Sequence, residues 1–463
     1  MSQILRLILC AVCIFFTPPA RAALRLNLIT IVTDDQAAWS LGCYGNRESR
    51  TPNMDRLARE GAHFANAFVT TPVCSPSRAA FFTGRHGVQL GITDWITPKE
   101  AKNGLGLPTN AVTWPEVLRR AGYRTALIGK WHLGAQPQFH PTRRGFDHFY
   151  GFIAGNSRSL DPELEVNGEN QKLSGPHADL LTDEALRFIE TNRARPFALQ
   201  LNFREPHAPY GPVPEEDSAP FKNLDPAIPD FPGLKTAQVK KWTREYYASI
   251  HSVDRNLGRL LARLDELKLT GQTIVLFTSD HGYMIGQHGL HMKGNGYKVL
   301  EGQPGATRPN MFEESIRVPL LIRWPGVVKP GRVLTEPVSN LDTFASVLGM
   351  LGVAPPRAWK QEGLDFSPLL RGEKYVPRDA LYGDYDMHND GKVSMRMIRT
   401  DGWKLVRHHR ATGKDELYRL TDDPGERRNL YDDPRHEKIR AQLQERLTAW
   451  QRSINDPLLR EEK

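Results

Sequence analysis

Cys74-Ser75-Pro76-Ser77-Arg78-Ala79-Ala80-Phe81-Phe82-Thr83-Gly84-Arg85 sets a thiol, a proline and an arginine at fixed spacing ahead of an apolar run that stops at glycine. Pro76 holds the backbone extended or in a turn before a helix. The run Arg78–Thr83 predicts that helix, whose N-terminus favours an anion. Arg78 is permanently charged and suited to hold a nucleophile or a neighbouring carboxylate in place. Working outward, Leu26–Thr33 is a short apolar, β-branched run that reads as a buried central strand ending at Asp34-Asp35. Acidic residues just past such a strand lie where open α/β sheets bind ligands. Two adjacent aspartates offer hard oxygen ligands to Ca²⁺ or Mg²⁺, although Asp-Asp alone is more often a turn or cap. Tyr123–Ile128 is a second strand running into Gly129-Lys130-Trp131-His132-Leu133-Gly134, where Lys130 and His132, two apart in extended structure, share a side. A third, Thr273–Thr278, ends at Ser279-Asp280-His281-Gly282, and Asp280 completes a carboxylate cluster with Asp34 and Asp35.

Cys-x-Pro-Ser-Arg followed by x-x-x-Phe-Thr-Gly-Arg resembles the signature of the type I sulfatases, and Gly129–Gly134 resembles a second hallmark of that family. The resemblance covers nearly the whole mature chain with its motifs in family order. It implies an α/β, alkaline-phosphatase-like fold: a large mixed β-sheet sandwiched by helices, then a smaller C-terminal antiparallel sheet with a helix. It also implies that Cys74 is oxidised by a formylglycine-generating enzyme to formylglycine (3-oxoalanine), whose hydrate attacks sulfur. A thiol attacks well but leaves a sulfated intermediate poorly, whereas a geminal diol attacks with one hydroxyl and expels sulfate with the other. Asp34, Asp35, Cys74, Asp280 and His281 are the implied metal ligands. His281 stands where arylsulfatases commonly carry Asn, with Ca²⁺ favoured over Mg²⁺. Arg78, Lys130 and Lys293 would offset charge around nucleophile and sulfate, and Asp280 is a candidate base. His207, in the loop after Pro196–Phe203, would protonate the leaving alcohol, and His132 would aid collapse of the sulfated diol. Lys130, His207, Lys293 and Arg308 are expected to touch substrate, with Asn310 a further candidate, while His288 and His291 line the pocket or lie outside it.

Further helices are expected over Thr51–Gly61, Trp114–Gly122, Asp179–Asn192, Thr243–Leu267, Val338–Leu351 and Lys438–Ile454, and a strand over Ala62–Val69. Residues 211–236, rich in Pro and Asp, read as a long loop shaping the substrate pocket. The predicted organisation is a signal peptide over 1–22, a catalytic domain over 23–368 and a C-terminal subdomain over 369–463.

The apolar run Leu7–Phe16 before Ala20-Arg21-Ala22 reads as a cleavable secretory signal, too short for a stable membrane anchor, so an exported, periplasmic or secreted protein is expected. Cys10 and Cys13 fall inside it, leaving Cys43 without a disulfide partner once Cys74 is oxidised. The formal charge of +8 becomes +6 without Arg6 and Arg21, and no Lys/Arg block points to nucleic acid, so the basic balance fits a sulfated saccharide or small sulfate ester. The rival readings are a phosphomonoesterase or phosphonate hydrolase on the same fold, and a sulfated-glycan-binding protein without catalysis.

Overall fold

The computed structural model describes residues 25–166, 168–410 and 413–461. The expected signal peptide, with Cys10 and Cys13, lies outside them. Strands β1 (Asn27–Thr33), β2 (Ala62–Phe64), β3 (Arg124–Lys130), β4 (His148–Phe152), β5 (Glu163–Val166), β6 (Glu169–Lys172), β7 (Phe197–Asn202), β8 (Thr273–Ser279), β9 (Leu320–Arg323) and β10 (Arg332–Leu334) form one sheet. Its order is β10-β2-β9-β8-β1-β7-β3-β4-β5-β6. The central strands β8, β1, β7, β3 and β4 are parallel, whereas β9 runs antiparallel to both its neighbours. The register pairs Val32 with Asn202 and Thr278, and Asn202 with Gly129, so four strands reach their carboxyl ends at one edge.

Alternation along β1 sends Leu28 and Val32 into one core and Ile29 and Ile31 into another. Helices α1 (Pro52–Glu60), α4 (His177–Asn192) and α5 (Thr236–Glu266) cover the second face through residues such as Leu57, Leu181 and Ile250. Helices α2 (Cys74–Thr83), α3 (Trp114–Arg120) and α6 (Asp342–Leu351) cover the first through Phe82, Trp114 and Phe344. A four-stranded antiparallel sheet spans Leu381–Met387, Val393–Arg399, Trp403–Arg410 and Glu416–Arg419. Helix α7 (Glu437–Ser453) packs on it through Leu443, Leu447 and Trp450. The expected fold class is thereby borne out.

Several expected elements differ in extent. Helix α2 begins at Cys74 itself, with Pro76 inside its first turn, where the missing N–H has no helical partner to lose. The strand expected over Ala62–Val69 is broken, and its second part, Ala67–Phe68, leaves the large sheet to pair with Val338–Ser339, at the start of the helix expected over Val338–Leu351. Helix α5 starts at Thr236, its polar first turns hidden by the Pro/Asp-rich stretch before it. Short strands at Met284–Ile285, Leu290–Met292, Tyr297–Leu300 and Gln303–Thr307 form a separate sheet that the hydrophobic pattern does not announce.

Gly129 joins β3 to β7 at its closest point. Its φ is +108°, and a Cβ there would lie 1.9 Å from the Asn202 carbonyl oxygen. Gly129→Ala is expected to cost about 3 kcal/mol or more, since both backbone conformation and strand spacing must change. Urea unfolding reads this directly, and a loss below about 1 kcal/mol would contradict it.

Candidate active site

Three strand ends are tied together before any side chain is considered. Asp34 N–H donates to Glu205 O at 3.3 Å, and Asp280 N–H donates to Thr33 O at 3.0 Å. Asp35, at φ +70°, donates its N–H to Asp280 Oδ1 at 3.3 Å. Asp34, Asp35 and His281 are completely buried, and Asp280 nearly so. Cys74 faces this cluster from the N-terminus of α2: its Sγ lies 3.5 Å from Asp34 Oδ1, 3.4 Å from His281 Nε2 and 3.1 Å from Lys293 Nζ.

Three cations close around the three carboxylates. Lys130 Nζ meets Asp34 Oδ2 at 2.5 Å and Lys293 Nζ meets Asp35 Oδ1 at 2.7 Å. Arg78 grips Asp280 Oδ2 through Nε at 3.0 Å and Nη2 at 2.9 Å. Burial pushes the Cys74 thiol up and Asp34 adds to that, but Lys130, Lys293 and His281 outweigh both and hold it well below the usual thiol range. Asp34 is likewise held low: burial raises it, and Lys130, His207, Lys293 and Arg78 more than offset that. Asp280 goes the other way, raised by burial and by Asp34 against the pull of His281 and Arg78. Because Asp280 accepts from Arg78 and from the Asp35 N–H, both its oxygens are already engaged, which suits a fixed ligand better than a free base.

The histidines take distinct places. His132 has φ +60°, so Lys130 and His132 are not two residues of one extended strand as expected; a left-handed turn, not strand parity, brings them together. His132 Nε2 donates to Ile96 O at 3.0 Å, and its buried Nδ1 has no protein partner. His207 lies at the cleft with Nε2 3.9 Å from Asp35 Oδ2 and Nδ1 donating to Ala208 O at 2.6 Å. His291 is away from the cluster, between Tyr210 and Tyr297 and stacked on Trp242, where burial pushes it down to about 3. His288 pairs with Glu314 at 3.0 Å.

Above Cys74 opens a cleft of about 520 Å³ walled by Trp95, His132, Asn156, His207, Lys293 and Tyr297, among others. Residues 211–236 do not line it; this stretch contains the short helix Glu215–Ser218 and packs on α5, Asp217 pairing with Arg255 at 2.8 Å. Arg308 is not brought to the cleft either. Its guanidinium sits 5.0 Å from the Phe312 ring centroid and faces a separate recess. Asn310, 1% exposed, lies beneath the site and donates Nδ2 to Lys293 O at 2.9 Å. Asn202, not singled out from sequence, supports Lys130 in the same way, donating Nδ2 to Lys130 O at 2.7 Å. The signal was present: Gln200 and Asn202 are polar residues of one parity in an otherwise apolar strand. Cys43 is free and half-buried, and burial beside Asp55 pushes its thiol up to about 12, far from reactivity.

Asp34, Cys74, Asp280 and His281 offer ligand atoms that all lie within 4.8 Å of one another, and Asp35 Oδ2 is buried without a hydrogen-bond donor. An unpaired buried carboxylate oxygen beside this donor set fits a divalent cation. Carboxylates, a nucleophile on a helix N-terminus and converging cations define a hydrolase of oxyanion esters. Residues 26–353 match the family model described as Sulfatase, and residues 307–453 match that described as N-sulphoglucosamine sulphohydrolase, C-terminal. The chain belongs to the sulfatase family of the alkaline phosphatase superfamily and is a sulfuric ester hydrolase. That family implies a divalent metal and formylglycine, and the buried cluster fits both.

Mouse (Mus musculus) steryl-sulfatase is 32% identical, over 89% of this chain and 80% of that protein. The N-acetylglucosamine-6-O-sulfatase of Bacteroides thetaiotaomicron is 26% identical over 95% of this chain and 88% of its own length. A structure solved in complex with its substrate D-glucosamine-2-N,6-O-disulfate superposes with a TM-score of 0.80 at 25% identity, covering 94% of this chain and 99% of that one. The phosphonate monoester hydrolase of Agrobacterium radiobacter, 22% identical with a TM-score of 0.75 over 93% of this chain and 96% of its own, shares the fold. Among the described residues no helix is long and apolar enough to cross a membrane.

Proposed function

We propose that this chain is an exported carbohydrate sulfatase that uses Cys74, oxidised to formylglycine by a formylglycine-generating enzyme, as its nucleophile. The observation that carries the reading is Cys74 at the N-terminus of a buried helix, 3.1 Å from Lys293 and 3.5 Å from Asp34. The relatives named for N-acetylglucosamine 6-O-sulfate, N-acetylgalactosamine 6-sulfate and ulvan support a sugar substrate, and the cleft above Cys74 has room for a saccharide residue.

Asp34, Asp35, Asp280 and His281, with the oxidised Cys74, would hold the cation, and the carboxylate-rich set favours Ca²⁺ over Mg²⁺. Bound there, the cation would polarise the sulfate and lower the pKa of the nucleophilic hydroxyl. Arg78 acts through Asp280, fixing that carboxylate with one hydrogen bond from Nε and an ion-pair contact from Nη2. Lys130 and Lys293 offset the negative charge gathering on the sulfate oxygens. His207, on the cleft side of Asp35, gives a proton to the departing alcohol, and His132, beside Cys74, takes one as sulfate is released. Residues 23–368 carry this chemistry and 369–463 form the C-terminal subdomain.

A panel of sulfated saccharides, assayed for released sulfate beside phosphate esters of the same alcohols, tests the reading. Sulfate esters are expected to turn over faster, and chelation with EDTA to lower the rate at least about a hundredfold, restored by Ca²⁺. Faster phosphate release would favour the phosphohydrolase reading. Chelator-resistant sulfate release would remove the metal from the mechanism.

A further inference from the structure

The first strand of the C-terminal sheet, Leu381–Met387, is followed by a turn that reaches into the catalytic half of the chain. His388 and Asn389 donate their backbone N–H groups to Asp94 Oδ2 at 2.9 and 3.0 Å. Asn389 Nδ2 donates to Trp95 O at 2.9 Å, and His388 Nε2 meets Glu100 Oε1 at 2.7 Å. Asp94 is 1% exposed and also accepts the Tyr385 hydroxyl at 3.3 Å, so the clamp is anchored in the interior. Its effect is to set Asp390, the next residue, on the wall of the cleft that contains Cys74. There Asp390 Oδ2 accepts from Asn295 Nδ2 at 2.7 Å.

The cleft is therefore polarised. Its floor carries Lys293, with His132 and His207 beside it, whereas the wall carries Asp390, Asn295, Asn156 and the Trp95 indole, and Lys293 is the one Lys or Arg side chain lining it among the described residues. Two polar atoms of these wall residues, Asn295 Oδ1 and Trp95 Nε1, are buried behind the cleft surface without a hydrogen-bond partner in the protein. The carboxylate of Asp390, exposed on that wall, and the Asn295 amide beside it suit a ring bearing hydroxyl groups. A carboxylate there does not suit a second sulfate.

We propose that the clamped Asp390, with Asn295 and Trp95, is a specificity site that selects a saccharide residue carrying one sulfate and otherwise neutral, hydroxyl-bearing substituents. Asp390 accepts hydrogen bonds from hydroxyls of the ring and repels a further anionic group, while Lys293 receives the sulfate that reacts. This deepens the carbohydrate-sulfatase reading and rests on it.

The test uses paired methyl glycosides, each as a monosulfate and as the disulfate bearing a second sulfate on the adjacent carbon. Wild-type kcat/KM is expected to favour the monosulfate by about tenfold or more, the scale of one like-charge repulsion at close range near a protein surface. Asp390→Asn should narrow that ratio to about threefold or less, and Asp390→Lys should invert it, as expected if charge sets the preference. Calorimetric binding of the same pairs to the Cys74→Ala protein gives the comparison without turnover. Equal or better use of disulfates by the wild type, or a ratio unchanged in Asp390→Asn with its melting temperature intact, would overturn the assignment. Wild-type turnover of 4-nitrophenyl sulfate separates the two levels. An enzyme that cleaves it but does not discriminate between the sugars loses this inference alone, and one that cleaves no sulfate ester loses the sulfatase reading as well.

Discussion

Cys74→Ala is expected to reduce turnover of any sulfate ester on the order of 10⁴-fold or more while leaving a folded protein. The nucleophile has no substitute within reach: the groups around Sγ are Asp34, His281 and Lys293, each already held by another partner. The same change removes the side chain that oxidation acts on, so neither thiol nor aldehyde chemistry survives. Stability should change little, by about 1 kcal/mol, because a single small atom is lost from a site tied together by other ion pairs. Assay of 4-nitrophenyl sulfate alongside a thermal melt decides the matter. Ordinary activity in the variant would end the proposed mechanism, and a collapse of the fold would contradict the expected stability.

His207→Ala should split substrates by leaving group. His207 sits at the cleft with its Nε2 facing Asp35 and its Nδ1 fixed by the Ala208 carbonyl, so the ring is oriented without help from substrate. An alkoxide leaves a sulfate ester poorly unless it is protonated, whereas nitrophenolate leaves readily as the anion. Removing a positioned proton donor should therefore cost roughly 10²–10⁴-fold on a sugar sulfate, and less than about tenfold on 4-nitrophenyl sulfate. Kinetics of the two substrates side by side provide the check. Equal losses on both would show that His207 serves binding or architecture, not proton transfer.

The elements that place the chemistry were readable because each follows a simple pattern. Buried strands β1, β3 and β8 are apolar runs, and the residues just beyond them, or at the end of β3, are Asp34-Asp35, Lys130 and Asp280. Parallel strands in register bring such positions to one edge whatever the loops between them do. What was not readable depends on the direction of single side chains or on distant packing. Arg308 and Asn310 are two residues apart, yet one turns out over Phe312 and the other turns in under Lys293. The small sheet between Met284 and Thr307 is built of strands too short to show a period.

By itself the sequence determined the main buried strands and the long helices, the thiol and arginine at the head of a helix, and the acids and bases at strand ends, because hydrophobic period and capping are local properties. Only the tertiary structure decided which charges neutralise which. It paired Lys130 with Asp34, Lys293 with Asp35 and Arg78 with Asp280, choices made by burial, where an unmatched charge is costly. It also decided who stands over the nucleophile. The 388–390 turn reaches Asp94 and Trp95 across 294 positions of sequence or more, a contact between a turn and a distant loop that leaves no trace in either local pattern.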